Sequence, residues 1–153
     1  MASLCQEHPA PFEHASNYGK SVFDISNISE WTIEGSPDTV TSEYLSHFKN
    51  HGFNRFSCGV QSFDATRLKH LARRHNAEQA IGVVQIARDA GFENISLDLM
   101  CGFPGETQEE IKNNIEIISQ LGIKQLSFYA FRPTEGTMLR RVIEKQGFKN
   151  SDG

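Results

Sequence analysis

The chain has 153 residues, 38% of them hydrophobic and 22% charged, with a formal net charge of −4 and a pI near 5.8. That length suits one domain able to bury a core, and the acidic balance leaves no electrostatic footprint for nucleic acid. No apolar run approaches the ~18 residues of a membrane span, and the opening "MASLCQEHPAPFEH" lacks the basic start and apolar stretch of a secretory signal.

Residues 1–29 are polar and aperiodic and read as a poorly ordered lead-in. A short strand follows from Trp31 to Glu34. Tyr44, Leu45 and Phe48 then mark the apolar stripe of a helix that Gly52 stops. Arg55 to Gln61 reads as a strand, and a helical segment carrying Arg73 comes after it. Within that segment "RLKHLARRH" reads mostly as a solvated helix face and its exit. Asn76 and Gln79 form a capping pair for the next helix, whose apolar face is Ala80, Val83, Val84 and Ala87 and whose stop is Gly91. The strand Ile95–Met100 leads through "GFPGET" to Thr107 and Glu110, a second capping box. That helix runs through Ile111, Ile115 and Ile118 to Gly122. Gln125 to Phe131 is the last strand, with a further helix at roughly Glu135–Lys145 and a tail over 147–153.

Three of these passages share an opening. "GFNRFS", "GFENIS" and "GIKQLS" each read glycine, large apolar residue, two polar residues, apolar residue, serine. Strands alternating with helices at roughly 30- to 40-residue spacing indicate an α/β fold, a parallel sheet of about four βα units. Strands buried on both faces tolerate few polar groups, so the differing polar residues toward each strand's end point to a site at the C-terminal ends. Periodicity leaves open whether the sheet is flat or curls into part of a barrel. Four units cannot close an eight-stranded barrel, and a partial one exposes two sheet edges.

Four polar residues call for individual weighing. Glu34 suits a water-facing carboxylate at a strand end as readily as a ligand contact. Gln61 stands where an apolar residue is expected, so its amide needs a partner, either a neighbouring loop or a ligand. Asp98 lies within an apolar strand, where an unpartnered carboxylate is costly. Arg73 alone reads as a surface arginine. Together they suit a small ligand bearing hydroxyls, a carboxylate and an ammonium group, because the guanidinium fork matches a carboxylate. "GFPGET" is adequate as a plain turn with an N-cap and lacks phosphate-loop spacing. His47 and His51, four apart, read as a solvated pair rather than metal ligands, and no catalytic triad or metal set stands out. Cys5, Cys58 and Cys101 are odd in number and widely spaced, which suits reduced thiols and a cytoplasmic protein; Cys58 and Cys101 read as packing residues.

"TIEGSPDTVT", "GVQSFD", Arg73 about a dozen residues past that glutamine, "GFENISLDLMCGFPGET", "LSFYAF" and "EGT" resemble the radical S-adenosylmethionine (SAM) family. The nearest branch is that of oxygen-independent coproporphyrinogen III oxidase and the haem chaperones, and the likeness runs from about Glu30 to Arg140. It implies a partial (βα)6 barrel over residues 30–146. It also implies S-adenosylmethionine and a 4Fe-4S cluster as cofactors, a 5′-deoxyadenosyl radical for hydrogen abstraction, and a small-molecule substrate in porphyrin chemistry. Residue by residue, Glu34 matches the acid that helps hold the cofactor, and Gln61 and Asp98 match groups near its ribose and sulfonium. Arg73 matches the arginine that pairs with its carboxylate, and Met100 an apolar contact to its adenosyl part.

One departure is large. The cluster motif C-x3-C-x2-C, expected before the first strand, is absent, and three scattered cysteines do not replace three thiolates from one loop. The expectation is therefore a partial domain of a radical SAM enzyme that, as this chain, does not hold the cluster alone and is inactive. A complementing N-terminal segment would supply the rest. The alternative is a non-catalytic βα module that pairs with itself or a partner through exposed sheet edges.

Overall fold

The computed structural model describes residues 27–132 together with Val22 and Arg140. The expected helix at 135–145, the tail, Cys5 and most of the lead-in lie outside the described residues.

Among the described residues four strands are joined by helices, two of them between β2 and β3: β1 (Thr32–Gly35), α1 (Ser42–Asn50), β2 (Arg55–Gln61), the short α2 (Ala65–His70), α3 (Ala77–Asp89), β3 (Asn94–Cys101), α4 (Gln108–Leu121) and β4 (Gln125–Ala130). The strands form one wholly parallel sheet in the order β1-β2-β3-β4. Sequential order with every crossover on one side is the arrangement of a barrel wall, whereas a doubly wound sheet reverses its strand order.

Local chemistry sets the element ends. Thr41 caps α1, Asn76 with Gln79 closes a reciprocal box on α3, and Thr107 with Glu110 does the same for α4. Gly52 (φ 96°) and Gly91 (φ 87°) take the left-handed conformation beyond their helices. The next amide then reaches back, from Phe53 to the Phe48 carbonyl and from Phe92 to the Ala87 carbonyl. That geometry drops both phenylalanines into the core, where they are 5% and 1% exposed. The recurrent opening is thus a helix stop joined to a core anchor.

The core fills the space between one sheet face and the helices. Phe56, Cys58 and Val60 of β2 and Ile95, Leu97 and Leu99 of β3 meet Leu45 and Phe48 of α1, Val83, Val84 and Ala87 of α3 and Ile118 of α4. Because strand side chains alternate, packing helices on this face leaves the polar residues together on the other.

Candidate functional site

Strand register arranges the polar face in rows. Thr32, Arg55 and Asn94 are level, then Glu34, Ser57, Ser96 and Gln125, then Asp98 with Ser127, then Met100 with Tyr129. Glu34, Asp98 and Met100 therefore share a face, with Glu34 exposed and the other two half-buried.

Arg55 ties this face together. Its guanidinium donates to Thr32 Oγ1 (3.2 Å) on β1, Ser96 Oγ (3.1 Å) on β3 and Gln125 Oε1 (3.1 Å) on β4, and it lies 3.6 Å from the Glu30 carboxylate. The repeated serines extend the network, Ser57 Oγ and Ser96 Oγ lying 2.8 Å apart. Ser57 Oγ also lies 3.4 Å from each carboxylate oxygen of Asp98. Such long bonds engage Asp98 weakly and leave it acceptor capacity for a further donor. The repeat is therefore more than scaffold: its serines belong to the polar face.

Gln61 reaches the same face by an irregularity. The β2–β3 register shifts between Cys58 and Gln61, and Gln61 adopts φ 70°. The Ser62 amide bonds the Val60 carbonyl at 2.9 Å, closing a three-residue γ-turn around Gln61. The Gln61 amide nitrogen then folds back over Gly59, only 2.8 Å from where a Cβ on that glycine would stand. Gly59 leaves the space that Gln61 occupies.

Arg73 is not in a helix. Ala72, at φ 52°, ends α2, and the Arg73 amide reaches back to the Leu68 carbonyl, so Arg73 stands exposed on the connection to α3. Its neighbour Arg74 bonds Asp38 at 2.9 Å, fastening this connection to the loop after β1. Burial would raise the Asp38 carboxyl, but hydrogen bonds from Ser36 and its own amide, with the charge of Arg74, bring it below its ordinary value. The Cys58 thiol is pushed far up, first by burial and then by the Asp98 charge, with Arg73 opposing and Asp38 adding. Asp98 and Arg73 thus both act electrostatically on the middle of β2.

"RLKHLARRH" is less solvated than its composition suggests. Arg67 is 8% exposed and His75 3%. Arg67 donates to the carbonyls of Pro104 (3.1 Å) and Gly105 (2.9 Å) and pairs with Glu110 at 3.0 Å, clamping the "GFPGET" turn from α2. Glu106 holds the other side of that turn through the amides of Gly102 and Phe103. The histidine pair also differs from expectation. His47 and His51 are half-buried with rings 4.3 Å apart, since α1 packs that side inward.

Cys58 and Cys101 lie on adjacent strands, Cys58 sealed in the core and Cys101 half-buried. A buried thiol held protonated on the helix side of the sheet cannot ligate iron on the polar face. The described residues therefore do not fit a 4Fe-4S cluster, and among them no group of three or more His, Cys, Asp or Glu side chains could hold a metal. The carboxylates of Glu34 and Asp98 and the amide of Gln61 do suit a ligand bearing hydroxyl and ammonium groups, with the Arg73 guanidinium standing apart on the connection before α3.

Comparison with known proteins agrees with this arrangement. The profile of the radical SAM superfamily matches residues 13–118. The chain belongs to the radical SAM superfamily. Among curated relatives of this radical SAM chain, heme chaperone HemW of Bacillus subtilis is 35% identical over 120 residues, covering 78% of this chain and 32% of that protein. The oxygen-independent coproporphyrinogen-III oxidase-like protein HemZ of the same organism is 33% identical over 111 residues, 72% of this chain and 22% of that protein. Coproporphyrinogen III oxidase (HemN) from Escherichia coli superposes with a TM-score of 0.74 over 92% of this chain and 36% of its own, at 23% identity, a likeness of fold. These relatives place the chain in the coproporphyrinogen oxidase-like and haem-chaperone branch. The chain spans about a third of the length of the curated HemW it matches.

The residues that sequence reasoning missed are Arg55, Ser57, Gly59, Arg67, His75 and Ser96. The serines stood in the repeat and Gly59 stood two places before Gln61. Nothing in the local pattern marked His75 or Arg67.

Proposed function

We propose that residues 30–146 are the S-adenosylmethionine-gripping part of a radical SAM barrel, in a protein resembling oxygen-independent coproporphyrinogen III oxidase and the haem chaperones. Glu34, Gln61, Asp98 and Met100 hold the cofactor along the polar face, and Arg73 pairs with its carboxylate from the rim. One observation carries this reading: the polar residues of four strands, separate in sequence, share a single face while α1, α3 and α4 pack on the other. In this family the cofactor supplies a carbon radical for hydrogen abstraction from a small-molecule substrate. The sequence has no C-x3-C-x2-C, so by itself it neither holds the cluster nor performs that abstraction, and a complementing segment must bring the thiolates.

Titration calorimetry of the full chain with S-adenosylmethionine tests the reading. Saturable binding that Asp98→Ala and Arg73→Ala each weaken is expected. Absence of binding, or binding indifferent to both substitutions, sinks it.

A second reading is favoured by the sheet edges. Among the described residues β1 and β4 each pair on one side only, and Phe128 and Tyr129 of β4 are 47% and 54% exposed. A non-catalytic module associating through those edges would elute as a dimer or larger species and would bind no cofactor.

A further inference from the structure

Gln61 reaches the polar face only because the backbone around it is held in an unusual turn. A positive φ at a residue with a side chain costs free energy and persists where the surroundings impose it. The Val60 carbonyl, which accepts the Ser62 amide to close the turn, also lies 3.0 Å from His75 Nε2. His75 comes from the connection between α2 and α3, far from the sheet in sequence.

A carbonyl only accepts, so Nε2 carries the hydrogen. The other ring nitrogen, Nδ1, is buried and has no hydrogen-bond partner among the described residues. It is therefore the bare lone pair of a neutral imidazole, since a charged ring would put a second N–H where nothing accepts it. The electrostatics agree. Burial lowers the pKa of His75 below its ordinary 6.5, with Arg73 adding to that while the Val60 carbonyl and Asp38 oppose it.

The geometry points to His75 as a positioning residue: its Nε2–H pins the Val60 carbonyl and so fixes the turn that folds Gln61 over Gly59 onto the polar face. The Arg74–Asp38 pair, one residue before, anchors the connection that presents the ring. Ser62 is 1% exposed, so its amide reports opening of the turn. Only the binding part of the test rests on reading the polar face as an S-adenosylmethionine site.

Two variants of the full chain separate the roles. His75→Phe keeps the volume and removes the donor; His75→Gln keeps an Nε2 donor at similar reach. Heteronuclear NMR of the unmodified chain should show the His75 proton on Nε2. Hydrogen exchange at Ser62 should rise about tenfold or more in His75→Phe and return toward the original rate in His75→Gln. Affinity for S-adenosylmethionine should fall about tenfold and recover in the same order, which a merely structural role would not produce in fully folded variants. A proton on Nδ1, or unchanged Ser62 exchange in folded His75→Phe, overturns the inference. If His75→Phe does not fold, the tautomer and the His75→Gln exchange rate decide it, a faster rate in His75→Gln counting against. If the unmodified chain binds no S-adenosylmethionine, the proposed function fails while the tautomer and exchange arms still judge His75.

Discussion

At the scale of single residues, two small side chains do opposite things. Gly59 is small because Gln61 needs the space, and its own φ is not in the left-handed region. Gly59→Ala would set a Cβ against a movable amide, so stability should change by no more than about 1 kcal/mol. The displaced Gln61 should nevertheless cost about tenfold in S-adenosylmethionine affinity. Calorimetry beside a urea denaturation curve would separate the two effects. Ala72 presents the reverse case, an exposed residue with a Cβ at φ 52° beyond α2. Ala72→Gly should stabilise the chain by about 1 kcal/mol, read as a higher urea midpoint at unchanged slope.

Between elements, Arg67 is a buried link. A side chain from the short α2 reaches under the β3–α4 turn, fills two carbonyls and pairs with Glu110 of the α4 capping box. The Thr107 amide leads the interactions that keep the Glu110 carboxyl below its ordinary 4.5, against burial and with help from Arg67. Methionine at position 67 would keep the bulk and abandon every one of those acceptors. Arg67→Met should therefore destabilise by about 3 kcal/mol and raise hydrogen exchange through residues 102–107. Unaltered exchange there would show that the turn holds itself.

Across the whole molecule, acidification should act in one direction. The depressed folded-state pKa of His75 contributes stability that is complete above 6.5 and lost as pH falls below it. Asp38 and Glu110, held below 3.8 and 4.5, contribute stability present above those values and lost as pH drops through their folded-state pKa values. Urea midpoints should thus fall from about pH 6.5 downward and more steeply below about pH 4.5. His75→Gln should flatten the first part alone. The groups facing His75 that tune this limb are the Val60 carbonyl, Asp38 and Arg73.

Whatever is local was legible in the chain. Helix stops at Gly52 and Gly91, the two capping boxes, the four strands and the parallel α/β class follow from rules acting over a few residues, and the structure bears them out. The likeness to the radical SAM family came from short motifs of the same reach, and it named Glu34, Asp98 and Met100, which share one face by register, and Gln61, whose amide folds over Gly59. Register and burial are not local. A sequence does not state that Arg55 spans to β4, that Arg67 and His75 are buried, or that Arg73 lies past a helix end rather than within it. Those facts depend on which strands lie side by side and on what the connections between them must cover, and only tertiary packing decides either.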